Sequence, residues 1–117
     1  MTWEKFDKAA THAARHKRRD KPCISRSPDR PDAAYLMLPR DMVGGDRVSI
    51  HTDRRGRIAF EFDPAGDYAV RATSRTSYTR RITIPRALTG SIPFGLNDIQ
   101  LERTAEGWLV LDPKAVV

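Results

Sequence analysis

The sequence predicts a mainly β fold: a small barrel with approximate two-fold symmetry, assembled from two ββαβ(β) repeats and preceded by a basic N-terminal helix. Three observations carry that expectation. A hydrophobic pattern around Pro-Arg occurs twice, as Leu36-Met37-Leu38-Pro39-Arg40-Asp41-Met42 and, 46 residues on, as Ile82-Thr83-Ile84-Pro85-Arg86-Ala87-Leu88. Arg81-Ile82-Thr83-Ile84 alternates polar and apolar residues, which is the signature of a half-buried strand. A four-stranded ribbon cannot bury both of its faces alone, so two such halves are expected to close on one another.

The 117 residues suit one domain of ordinary size, with enough chain for a modest core. No apolar run approaches the roughly 20 residues that span a bilayer, and residues 1–20 lack the apolar centre of a secretion signal. The single cysteine, Cys23, allows no internal disulfide. A cytoplasmic protein without membrane association is expected.

Residues 1–22 read as a basic helical arm. Thr2 can cap the helix, Glu4 sits in its first turn, and Ala9, Ala10, Ala13 and Ala14 favour the helical state. Trp3, Phe6, Ala10, Ala13 and Ala14 fall near one face. The arm then runs into Arg15, His16, Lys17, Arg18, Arg19, Asp20 and Lys21, and Pro22 ends it. Cations complement a helix C-terminus, but this cluster exceeds what a cap requires, which leaves nucleic-acid contact, a solvated tail and a partner-binding helix as its readings.

The remaining 95 residues are read as a single barrel domain, 23–117, divided into copy one at 23–66 and copy two at 67–117. In copy two, Tyr68-Ala69-Val70-Arg71-Ala72-Thr73 forms a strand, a polar loop follows, and Arg81-Ile82-Thr83-Ile84 forms the next. Pro85 removes a ladder donor and suits the first turn of a short helix at 86–88. A third strand is expected at 99–101, matching 48–50 of copy one. Gly107 or Gly56 then turns the chain into a fourth. The offset of 46 pairs Ile24 with Val70 and Leu36 with Ile82. A five-residue insertion at 89–93 raises it to 51, pairing Gly44-Gly45-Asp46-Arg47-Val48-Ser49-Ile50 with Gly95-Leu96-Asn97-Asp98-Ile99-Gln100-Leu101. Gly56 then matches Gly107, and Ile58-Ala59-Phe60 matches Leu109-Val110-Leu111. Both copies close on Asp-Pro, at Asp63-Pro64 and Asp112-Pro113.

Charge is distributed unevenly over these parts. The chain carries 21 Lys plus Arg against 15 Asp plus Glu, a formal +6 with a pI near 10.0. By segment the balance is seven cations to three acids in the arm, seven to seven in copy one and seven to five in copy two, hence +4, 0 and +2. No acid lies between Asp67 and Asp98, an interval that holds Arg71, Arg75, Arg80, Arg81 and Arg86. Sixteen of the 21 cations are Arg, whose planar fork fits phosphates and guanine edges, although a GC-rich genome also enriches Arg.

The strand before Ile84-Pro85-Arg86-Ala87-Leu88 and the turn at Gly95-Leu96-Asn97-Asp98-Ile99, with echoes at Leu38-Pro39-Arg40 and Gly44-Gly45-Asp46, resemble the AbrB/SpoVT/MazE superfamily of swapped-hairpin β-barrels. The resemblance covers nearly all of 23–117, and two copies in one chain look like the tandem arrangement of MraZ-type relatives. A double-psi barrel is the structural rival. The resemblance implies double-stranded DNA binding by a transcription regulator of bacterial, phage or mobile-element kind, through Arg residues of the loops joining the first two strands of each copy. On matching positions these are Arg71, Arg75, Arg80 and Arg81 in copy two and Arg26 and Arg30 in copy one. Asp29 and Asp32 flank the latter pair, so an asymmetric DNA face dominated by copy two is expected, with Arg86 and the arm residues Arg15, Lys17, Arg18, Arg19 and Lys21 adding to it.

Other chemistry is weakly represented. His12 and His16 share a helical spacing but make only two ligands, so no metal or other cofactor is expected. Gly90-Ser91 is an ordinary loop dipeptide, Asp53-Arg54-Arg55-Gly56-Arg57 reads as a tight hairpin turn, and no phosphate loop or catalytic triad context is present. An enzyme therefore ranks last. The rival from another class is a protein-interaction module, such as a phage-type inhibitor or an adaptor that grips an acidic protein. An antitoxin ranks lower, because Asp112-Pro113-Lys114-Ala115-Val116-Val117 supplies no long acidic tail. The sequence leaves open whether one chain closes its own barrel or a homodimer exchanges hairpins.

Overall fold

The computed structural model describes residues 21–73 and 78–116. Nine antiparallel strands dominate them: β1 (Cys23–Arg26), β2 (Ala34–Pro39), β3 (Arg47–Thr52), β4 (Ile58–Phe62), β5 (Tyr68–Ala72), β6 (Thr79–Thr83), β7 (Gly95–Asp98), β8 (Glu102–Arg103) and β9 (Leu109–Leu111). They form one curled sheet in the order β7-β1-β2-β6-β5-β3-β4-β9-β8. Its two end strands, β7 and β8, are consecutive in the chain and separated only by residues 99–101. The expected N-terminal helix lies outside the described residues.

Proline sets the two corners of the fold. Pro39 and Pro85 bring φ near −58° and −54° and lack an amide donor, so each stops its strand and leads into a 3-10 turn. These turns, Arg40–Met42 and Arg86–Ser91, stand where short helices were expected. The second is the longer, which is where the insertion was placed. Within it the Thr89 and Ser91 hydroxyls each donate at 2.8 Å to the carbonyls of Arg86 and Leu88, satisfying acceptors that a 3-10 turn leaves open.

Register decides which side chains share a face. Ile24 faces Leu36, Leu36 faces Ile82, and Ile82 faces Val70, so four strands contribute one straight apolar row. Other ladders correspond through the sequence offsets. Cys23 opposite Asp98 between β1 and β7 matches Ala69 opposite Arg47 between β5 and β3. Thr52 opposite Ile58 matches Arg103 opposite Leu109. In these ladders β1 pairs with β7, and β5 with β3.

The third strand of copy two departs from expectation. Residues 99–101 were expected to be that strand, but pairing is carried by β7 before them and β8 after them. Ile99 is buried, which is why its apolar pattern reads as strand, yet its neighbours pass from the β1 ladder to the β9 ladder at this point. Strand β9 has three residues against five in β4, so the Asp-Pro that directly follows each strand comes two residues sooner after the Gly turn at Gly107 than at Gly56.

Period-two alternation fills the core with Ile24, Ala34, Leu36, Leu38, Val48, Ile58, Phe60, Ile82, Ile84, Leu109 and Leu111, all essentially inaccessible. Burying a side chain of this size contributes about 1.5–3 kcal/mol, which makes this set the main source of stability. Gly66 lets the backbone after β4 lie against Val48, since a Cβ there would come within 2.5 Å of the Val48 carbonyl carbon. No helix among the described residues is long and apolar enough to cross a membrane.

Candidate nucleic-acid interface

The β5–β6 hairpin positions the cations that sequence reading grouped together, and strand geometry separates them. Arg71 faces Arg81 directly across the ladder, while Ala72 faces Arg80. Successive side chains leave a strand on opposite faces, so Arg80 lies on the side of buried Ile82, and Arg71 and Arg81 lie on the outer side. The outer row continues from Arg81 through Met37 and Cys23 to Asp98 at the far edge.

Arg71 is exposed and Arg81 half-buried, and neither forms an ion pair among the described residues. Like charges placed directly opposite one another disfavour an antiparallel pair. Arg81 offsets part of this by laying its guanidinium over the Tyr35 ring, 4.7 Å from the centroid. Its Nε is buried and has no hydrogen-bond partner, an uncommon state for a charged donor.

Other predicted site residues stand elsewhere. Arg26 is engaged internally: its Nε donates to the Pro31 carbonyl at 2.9 Å, its Nη1 to the Ile92 carbonyl at 2.8 Å, and its guanidinium covers Phe94 at 4.2 Å. It clamps the β1–β2 loop to the segment after the longer 3-10 turn. Arg30 is exposed in that loop, and Arg86 pairs with Asp32 at 2.9 Å on the open surface, an arrangement of little energetic weight. Lys21 is exposed beside β7. Arg75, Arg15, Lys17, Arg18 and Arg19 lie outside the described residues. The β2–β6 ladder is antiparallel, so the β1–β2 and β5–β6 loops sit at opposite ends of it, roughly 20 Å apart at about 3.3 Å per residue.

No family model, curated protein or solved structure matches the chain. The site is therefore defined by its own geometry.

Sequence reading passed over Arg47 and His51. Arg47 donates from Nε to the Gly66 carbonyl at 2.6 Å and from Nη2 to the Asp67 carbonyl at 3.1 Å, bracing the turn into β5. His51 stacks on Trp108 with ring centroids 4.6 Å apart and 11° between planes, and its Nε2 lies 3.0 Å from Glu61. The offset of 51 could have flagged this second set, since it equates His51 with Glu102 and Arg57 with Trp108. At Cys23, burial first and the Asp98 charge second push the thiol pKa up, so the outer row carries no ready thiolate.

Proposed function

We propose that the chain is a tandem pair of half-barrels of the swapped-hairpin kind that binds double-stranded DNA through the outer face of its β5–β6 hairpin, as a transcription regulator does. The Arg71–Arg81 pair carries the reading. The β5–β6 register sets these two cations opposite one another without a carboxylate partner among the described residues, inside a 30-residue interval free of acids. A phosphate bound across this face would neutralise both charges.

The tandem reading is supported by the ladder correspondences and by the resemblance of the Ile-Pro and Gly-x-x-Asp segments. The expected set of contacts narrows. Arg71 and Arg81 lead it, Arg75 and the arm cations extend it, and Arg26 and Arg80 drop to structural or rim roles. Contacts of this kind position a protein on the phosphate backbone and do not read bases.

Anisotropy of a labelled 20-base-pair duplex at low salt tests this. Saturable binding tighter than about 10 µM that weakens steeply with salt supports the reading, and its absence overturns it. A protein partner is the second reading, favoured by Phe94 and Leu96, which flank and occupy edge strand β7 with 52% and 63% of their surface exposed. A specific partner retained after nuclease treatment would support that alternative.

A further inference from the structure

The hairpins β3–β4 and β8–β9 enclose a groove of about 270 Å³ between them, on the outer side of the β4–β9 ladder. Its floor is Ala59 opposite Val110, a shallow apolar strip. One wall is the His51–Trp108 stack, in which His51 fixes the plane of the indole. The other wall holds Arg57 and Glu102.

These two side chains are not equally occupied. Arg57 donates through Nε to Asp53 at 2.6 Å, and Asp53 also accepts the amides of Arg55 and Arg57 at 2.9 Å. Arg57 also feels the Glu102 charge, but Glu102 forms no ion pair among the described residues. The lining holds two acids, Asp53 and Glu102, against one cation, Arg57, which is already bound to Asp53. A carboxylate, an indole and a short apolar floor within one groove suit a long cationic side chain, whose head can meet the carboxylate and the indole face while its methylene stem lies on the floor.

We propose that this groove binds an Arg or Lys side chain presented by a protein partner, with Glu102 pairing the cation and Trp108 packing on its stem and head. The site is separate from the Arg71–Arg81 pair and opposite to it in charge preference, so it does not depend on the DNA reading.

The test uses the Trp3→Phe variant of the full chain, which leaves Trp108 as the sole indole, titrated with the blocked peptide Ac-(Ala-Arg)3-NH2. A saturable change in Trp108 emission is expected, weakened at least about fivefold by Glu102→Gln and weakened again between about 50 and 300 mM salt. Arg71→Ala with Arg81→Ala should leave it unchanged. No saturable response up to about 5 mM peptide, an equal response in Glu102→Gln, or an equal response to Ac-(Ala-Glu)3-NH2 would overturn the proposal. Glu102 is exposed, so the variant is expected to fold, and salt insensitivity of the unmodified groove would overturn the proposal independently.

Discussion

Leu36 and Ile82, which the 46-residue offset makes equivalent, face each other directly across the β2–β6 ladder. In an antiparallel pair, a residue opposite its own counterpart is what a local two-fold axis requires at that point. Tyr35 opposite Thr83 and Met37 opposite Arg81 follow the same rule, because the offset equates Tyr35 with Arg81 and Met37 with Thr83. Ala59 opposite Val110, equivalent under the offset of 51, marks a second such point at the far side of the sheet.

The apolar row through these residues should dominate stability. Leu36→Ala and Ile82→Ala are each expected to cost about 3–4 kcal/mol in urea unfolding, and their combination should be non-additive because the side chains touch. Met37→Ala, on the outer face of the same ladder, should cost about 1 kcal/mol or less. Comparable losses at Met37 and Leu36 would contradict the assigned faces.

Gly66 gives a steric test of the turn into β5. A methyl there would lie 2.5 Å from the Val48 carbonyl carbon, and backbone cannot yield cheaply. Gly66→Ala should lose about 3 kcal/mol or fail to fold, whereas Gly45→Ala, with nothing within 4 Å, should stay within about 0.5 kcal/mol of the parent by thermal melting.

Much of this arrangement was legible before the fold was known. The matched apolar positions around Pro39-Arg40 and Pro85-Arg86 located the strands that pair at the centre. Less accessible was the break in the third strand of copy two, because Ile99 is buried like a strand residue although the chain changes ladder around it. Charge counting grouped Arg80 with Arg81, and only alternation along β6 separates them. Arg26 looked free because its acceptors include Ile92, 66 residues away, and no local pattern announces a bond to a distant carbonyl.

Asp53 supplies a pH signature. The Arg57 amide and guanidinium, with the Arg55 amide, hold its carboxyl below the usual range. A lowered folded-state pKa contributes stability that is present above the unfolded carboxylate pKa and fades as pH falls through the lower folded value. Carbon-detected titration should therefore give Asp53 a midpoint below that of an aspartate in a short unfolded peptide. Asp53→Asn should flatten the acid limb of the stability profile, modestly because the group is exposed.

Cys23 should be a slow thiol. Burial and the nearby Asp98 both disfavour its thiolate, so iodoacetamide at pH 8 should react several-fold more slowly than with a small free thiol. Asp98→Asn should speed the reaction by about twofold at most, because burial is the larger cause. A faster-than-free rate would contradict the packing of the outer row.

The most direct test of the DNA reading is the slope of log affinity against log salt for duplex binding by the parent chain, by Arg71→Ala/Arg81→Ala and by Arg26→Ala/Arg80→Ala. Each neutralised phosphate adds about 0.9 to that slope, so the outer pair should carry about 1.8 of it, and its removal should make the slope shallower by that amount with a clear loss of affinity at low salt. The Arg26/Arg80 variant should keep most of the parent slope. An unchanged slope in the Arg71/Arg81 variant, or a larger loss in the Arg26/Arg80 variant, would contradict DNA binding through the outer face of the β5–β6 hairpin.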